Sequence, residues 1–305
     1  MRTPALLLPV VLAGPVLLVT ACGPHGGDRA SCAPSTAPVA SAPAGGAAGA
    51  EGDGDVRITA VTARPSHCSG PAPFHVAFQV TNHADEPATY TVTFGLTSGA
   101  GAALGNVPHT VRAVPPGRTV KGEADLGAPL APRSGDERVR IVKVRSVPAD
   151  EAPAAPGDAC PPSGLRLTAG DGDAAMGLRV VGLRLENCSS RVRRVEGHPL
   201  VRLLDEEHRP VKGVEIFRGS GGVALVPGFD DPPRPVTLEP GESATAGLMW
   251  RNTVTDGASV NAPYARVWAT PGAPPVTVTP ELDLGTTGKL GVSVWKAAPA
   301  TTARP

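Results

Sequence analysis

The sequence predicts an all-β protein built from two tandem β-sandwich modules, and three observations carry that prediction. The 305 residues include 37 Gly and 35 Pro, both of which break helices, so no long helical segment is expected. The remaining aliphatic residues, largely Val and Leu, fall in short runs that alternate with polar residues, the period that turns one face of a strand inward. These runs are separated by turn residues at short intervals, and Pro-, Ala- and Gly-rich stretches gather them into two blocks.

The chain opens on an export signal. Arg2 supplies a positive start and residues 5–20 are uncharged and mostly apolar. At about 16 residues, interrupted by Pro9 and Pro15, this run falls short of the roughly 20 that span a bilayer. Leu18-Val19-Thr20-Ala21-Cys22 resembles the bacterial lipobox. There, small residues precede a cysteine whose thiol receives a diacylglycerol, the signal is cleaved, and the new amino group can be acylated, for instance by palmitate. On that reading residues 1–21 are a lipoprotein signal peptide and Cys22 is the first mature residue. Two or three acyl chains, at roughly 0.8 kcal/mol per buried methylene, then hold the protein on the outer face of the cytoplasmic membrane. The bland alternative is a plain secretory signal with an incidental cysteine.

Without the signal the chain carries 27 Lys and Arg against 28 Asp and Glu, a net charge of −1. Balanced charge without basic runs argues against nucleic acid, whose binding rests on clustered cations, and against an anionic-lipid patch. The expected partners are the membrane, through the anchor, and an unknown envelope protein or glycan.

Residues 22–54 are Ala, Gly, Pro and Ser with few side chains able to form a core, and read as a disordered tether. Residues 55–147 read as the N-terminal sandwich. Strands are expected at 56–61, at 74–80 with Phe74, Val76, Phe78 and Val80 on one face, and at 90–96, 119–126 and 139–147, with a turn at Val114-Pro115-Pro116-Gly117. This block resembles immunoglobulin-like modules of secreted actinobacterial proteins at the level of fold, which implies nothing about activity. Residues 148–159 are Pro-, Ala- and acid-rich and read as a linker. Residues 160–296 form the C-terminal sandwich, with strands expected at 177–185, 200–204, 211–217, 236–238, 243–250, 264–269, 276–279 and 290–295. There Ala244, Ala246, Leu248 and Trp250 fall inward at period two. Residues 297–305 read as a frayed tail.

The two modules echo one another. Each has a strand running into an asparagine, Val80-Thr81-Asn82 and Leu185-Glu186-Asn187, and each later has a Pro-Gly turn feeding an alternating strand, Pro116-Gly117 and Pro240-Gly241. Asn and Gly both tolerate turn conformations.

If Cys22 is lipidated, Cys32, Cys68, Cys160 and Cys188 remain, an even number that suggests disulfides in an exported chain. Four cysteines allow three connectivities, and the sequence does not choose among them. The pairing that keeps each bridge within one module is Cys160 with Cys188 and Cys32 with Cys68. No Cys-x-x-Cys spacing supports a metal site.

Asn187-Cys188 through Gly197-His198-Pro199, then Val201-Arg202-Leu203-Leu204-Asp205, resembles an uncharacterised family of exported actinobacterial domains, domain of unknown function four-two-three-two. Leu238-Glu239-Pro240-Gly241-Glu242-Ser243-Ala244, Leu248-Met249-Trp250-Arg251-Asn252 and Leu290-Gly291-Val292-Ser293-Val294-Trp295 extend the likeness. It covers residues 160–295 and implies a β-sandwich and a lipoprotein habit, with no known activity or site residues. The family resemblance also carries departures. Many members have Tyr where this chain has His198, and two further cysteines near the positions of Asn261 and Thr286. Their joint absence implies loss of one whole bridge and leaves Cys160–Cys188 as the survivor.

No constellation reads as catalytic, and no cofactor or metal is expected. Gly219-Ser220-Gly221-Gly222 lacks the Gly-x-Ser-x-Gly elbow that exposes a nucleophile and reads as flexible loop. Asp171-Gly172-Asp173 and Asp230-Asp231 lack the ligand ladder of a calcium loop and read as solvated turns. His67, His75 and His83 have no metal-ligand spacing, and His75 alternates away from Phe74 and Phe78 toward solvent. Trp250, Trp268, Trp295 and Tyr264 could form a carbohydrate-stacking platform, but in a chain with 3% aromatics they read as core filler. Asn187-Cys188-Ser189 matches a glycosylation sequon and carries no weight in a bacterial-type lipoprotein. The functional expectation is a non-enzymatic recognition or structural module of the envelope. An envelope small-ligand carrier, or a hydrolase whose site converges from distant loops, is the alternative.

Overall fold

The computed structural model describes residues 52–63, 73–128 and 136–299. The signal, Cys22, nearly all of the tether, Cys32, His67, Cys68 and residues 300–305 lie outside the described residues. Every described element is a strand, so the protein is all-β.

The N-terminal half contains β1 (Gly52–Asp53), β2 (Val56–Ala63), β3 (Phe74–Thr81), β4 (Ala88–Thr97), β5 (Ala103–Val114), β6 (Thr119–Gly127) and β7 (Arg138–Pro148). They form two antiparallel sheets, ordered β1-β2-β3-β6 and β5-β4-β7. The alternation read from residues 74–80 is present: Phe74, Val76, Phe78 and Val80 are buried, and they meet Tyr90, Val92, Phe94 and Leu96 of the facing sheet. Phe78 and Phe94 lie edge to face with ring centroids 5.0 Å apart, the arrangement aromatic quadrupoles prefer. Phe78 also stands in register with Gly122, where an added Cβ would come within 2.5 Å of the ring. β5 went unpredicted because it is an edge strand with few buried residues.

The C-terminal half contains β8 (Leu165–Ala169), β9 (Asp173–Ala175), β10 (Leu178–Asn187), β11 (Arg193–Val195), β12 (Leu200–Leu204), β13 (Glu215–Arg218) and β14 (Val236–Leu238). Then follow β15 (Ser243–Arg251), β16 (Asn261–Ala262), β17 (Tyr264–Trp268), β18 (Pro275–Val278), β19 (Leu282–Asp283), β20 (Lys289–Val292) and β21 (Lys296–Ala297). The larger sheet runs β13-β20-β15-β10-β8, with β9 added to β10 and β21 to β15, and a second sheet runs β12-β17-β18. Ala244, Ala246, Leu248 and Trp250 all enter the core that joins them, as the period-two pattern requires. The opposite face of β15 is covered as well, with Met249 packed under Val223 and Phe229. Residues 211–214, expected as strand, precede β13 as irregular chain.

The sequence echo is a shared structural device. Asn82 and Asn187 are both fully buried. The Asn82 amide donates to the carbonyls of Glu86 and Val114, each at 2.8 Å, while its Oδ1 accepts from the Ala84 N–H and the Tyr90 hydroxyl. The Asn187 amide donates to the carbonyls of Arg191 and Leu238, each at 2.8 Å, while its Oδ1 accepts from the N–H and hydroxyl of Ser189. The main-chain carbonyls of the two asparagines accept from Gly117 and Gly241 respectively, glycines that hold φ of +64° and +85°. Each asparagine thereby ties the end of one strand to the turn that starts the strand paired with it, β3 to β6 and β10 to β15.

The stretch read as a linker is packed. Glu151 is 8% exposed; its carboxylate bonds the Arg266 guanidinium and accepts from the Thr277 hydroxyl at 2.7 Å, and its carbonyl accepts from the Thr277 N–H. Ala152 packs against Val147, Leu204 and Tyr264. Asp158 pairs with Arg112 at 3.1 Å and offers its carbonyl to Arg166. Two of its acidic residues, Glu151 and Asp158, are the groups that clamp it. Cys160 and Cys188 form a disulfide with Cα atoms 5.6 Å apart, fastening the end of this segment to the turn after β10.

Candidate functional site

The sheet β12-β17-β18 has one face in the core and one facing out. Val201, Leu203, Ala265, Val267, Val276 and Val278 belong to the core, so strand alternation directs Leu200, Arg202, Leu204, Tyr264, Arg266, Trp268, Pro275 and Thr277 outward. These residues form cross-strand rows. Leu200, Trp268 and Pro275 are in register, as are Arg202, Arg266 and Thr277, and Leu204 with Tyr264.

The inner row is closed by the N-terminal half. Leu204 and Tyr264 are buried against Val147. The Ser146 N–H donates to the Tyr264 hydroxyl at 3.3 Å, and His208 Nε2 donates to the Ser146 carbonyl at 2.8 Å with its ring 4.4 Å from that of Tyr264. Arg145 holds Glu281 through two bonds of 2.7 and 2.9 Å and reaches Glu206 at 3.0 Å, while Lys143 adds a contact to Glu281 at 3.2 Å. Burial alone would raise the Glu281 pKa, but the bonds and charge of Arg145, with Lys143, outweigh it and hold the carboxyl below its ordinary range. The bond to Glu281 in turn raises Arg145. His208 and Glu281 both sit in the left-handed region, at φ of +57° and +54°, a conformation that persists only where surrounding contacts fix it.

Beside this contact lies a cavity of about 140 Å³ lined by Thr89, Thr91, Thr110, Arg112, Arg145, Val147, Pro153, Thr277 and Thr279. Five threonines and two arginines line it together with Val147 and Pro153.

The outer rows stay open. Leu200 is 43% exposed, Arg202 is exposed, and Trp268 is half-buried. The guanidinium carbons of Arg202 and Arg266 stand 5.6 and 5.4 Å from the Trp268 ring centroid, within cation–π range. Arg266 is neutralised by Glu151, whereas no carboxylate pairs with Arg202 among the described residues. The site therefore holds one uncompensated cation beside an aromatic surface.

Of the four aromatics expected in the core, Trp250 and Trp295 are there. Tyr264 is buried in the contact between the halves, and Trp268 lies on the outer face. Counting by twos through Tyr264, Ala265, Arg266, Val267 and Trp268 gives the reason: Ala265 and Val267 own the inward phase. That alternation was present in the sequence and could have found the site.

Among the described residues the other candidates stand apart from one another. The stretch read as flexible loop is a packed turn in which Ser220 is 7% exposed and its N–H donates to Asp230 at 2.7 Å. That bond lowers the Asp230 pKa. Asp231 pairs with Lys296, and Asp171 and Asp173 are exposed. His75 and His83 approach Asp125 and Asp55 at 3.9 Å. No cluster of three or more potential metal ligands occurs among the described residues.

Fold and face together define an all-β module with Leu200, Arg202 and Trp268 on the open side of one sheet. Residues 160–296 match the family described as Domain of unknown function (DUF4232), the family whose motifs the C-terminal half resembles. No curated protein matches the chain. The positions where the resemblance places the missing cysteine pair are close in space: backbone bonds join Val260 with Gly285 and Leu284, and the Thr286 hydroxyl meets that of Thr255 at 3.0 Å.

Proposed function

We propose that the protein is a non-enzymatic recognition module of the cell envelope, held at the membrane by lipidated Cys22, that binds its partner through the outer face of β12-β17-β18. The observation that carries this reading is the half-buried Trp268 with Arg202 and Arg266 on the open rows of this sheet. Trp and Arg are the residue types that dominate binding energy at interfaces, since each combines large contact area with directed polar groups. The seam cavity favours this over an apolar-ligand carrier, which calls for an apolar pocket of roughly 300 Å³ or more. The test is capture from envelope extract on the immobilised chain from Gly23 onward. Partners retained by the parent chain and lost with Trp268→Ala support the reading; partners retained equally by both defeat it. Separately, Cys22→Ala is expected to release the protein from membranes, and unchanged retention would refute the anchor.

A further inference from the structure

We infer that the Trp268 face takes an acidic polysaccharide, one whose sugar rings carry carboxylates. This inference rests on the proposed recognition role and names its ligand class. Three features of the face point the same way.

The first is a like-charge pair. Arg202 and Arg266 stand directly opposite one another on β12 and β17, a like-charge pairing that is destabilising by itself. Glu151 and the Trp268 ring offset only part of it, since Arg202 keeps no carboxylate of its own among the described residues. A ligand carboxylate completes the set, because a guanidinium presents parallel donors that match its two oxygens.

The second is the row in front of the arginines. Leu200, Trp268 and Pro275 form an apolar strip across three strands. A sugar ring has an apolar face of C–H groups that packs on such a strip, and a phosphate chain without rings leaves it wet. Aromatic strip and adjacent cation together select a ring that bears an anion.

The third is continuity. At the end of the arginine row, Thr277 lines the seam cavity with Thr279, and there Thr91 and Thr110 face each other in register on β4 and β5. The hydroxyls of Thr91, Thr110 and Thr279 take part in no side-chain hydrogen bond among the described residues. Hydroxyls on the cavity wall suit the hydroxyls of a sugar.

The experiment is calorimetric titration of the exported chain with polygalacturonate, its methyl ester and polyglutamate. Binding to polygalacturonate at least 10-fold tighter than to either other polymer is expected, because the ester removes the charge and polyglutamate removes the ring. Trp268→Ala and Arg202→Gln are each expected to weaken it by at least 10-fold; Arg202 is exposed, so Arg202→Gln is expected to leave thermal melting unchanged and reads binding alone, whereas half-buried Trp268 also packs under two guanidinium groups. Equal affinity for polyglutamate, or full affinity in both variants, overturns the assignment. Absence of polygalacturonate binding while Trp268-dependent envelope capture persists overturns the ligand class alone. Loss of both overturns the recognition role as well.

Discussion

Arg145 and Glu281, 136 residues apart in sequence, meet through two hydrogen bonds of 2.7 and 2.9 Å and join the last strand of the first half to the loop after β18. The pair is partly exposed, with side-chain exposures of 15% and 34%, so its energetic weight is below that of a buried ion pair. Its effect is positional: it fixes the seam against which the Trp268 face ends.

Glu281→Gln is expected to destabilise the seam by about 1 kcal/mol after allowance for solvent screening, and to expose the 148–159 segment to protease sooner. Because the folded pKa of Glu281 is depressed, its contribution is complete above the unfolded carboxylate value of about 4.3 and is lost as pH falls through the folded value. Limited proteolysis at pH 7 and in mild acid checks both statements. Cleavage rates identical in parent and variant at pH 7 would remove the pair from the account.

The protein has two tyrosines, Tyr90 and Tyr264, and both are shifted upward. Burial, then the Asp55 charge, pushes Tyr90 up to about 12, and burial raises Tyr264. Raised folded values stabilise the native state fully below about pH 10 and fade as pH climbs through the folded pKa. Ultraviolet titration should therefore show less than half of the tyrosine ionised at pH 10, where free tyrosine is half ionised, with Tyr90 contributing almost none. Half-ionisation at that pH would mean that both rings are wet.

Opening Cys160–Cys188 removes a loop closure of 28 residues, for which chain entropy alone corresponds to about 3–4 kcal/mol. The Cys160→Ser, Cys188→Ser double variant should melt roughly 10 °C lower. An unaltered melting curve would show that the packed connector holds without its staple.

Asn187→Ala and Asn82→Ala each strip a buried hub, leaving two carbonyls and at least one N–H unsatisfied, at about 2–4 kcal/mol. Chemical denaturation followed by tryptophan fluorescence isolates one half, because all three tryptophans lie after residue 160. Asn187→Ala should shift that transition more than Asn82→Ala. Equal shifts would mean that the halves unfold as a single unit.

Strands whose inward residues are large, such as β3 and β15, were legible from alternation alone, because a single buried face writes period two into the chain. β5 was not, since an edge strand with solvent on most of its length carries no such signature. The connector misled for a different reason. Pro, Ala and acid describe a solvated spacer until partners arrive, and Arg266, Thr277 and Arg112 are supplied from as far as 126 residues away in sequence. For Trp268, scarcity of aromatics points to the core while phase points outward, and phase decides, because its neighbours Ala265 and Val267 mark the inner side.

The burial of Leu204 and Tyr264 beneath Val147 sets a limit on portability. A fragment cut at Cys160 would carry the complete core and the disulfide, yet it would present a bare aromatic strip, an unpaired Arg266 and a Thr277 without its acceptor. Transplanted alone, such a fragment invites self-association through that strip. The smallest piece that keeps the surface of its parent begins no later than Val147, so the unit that can be moved between proteins is larger than the unit that its sequence motifs delimit.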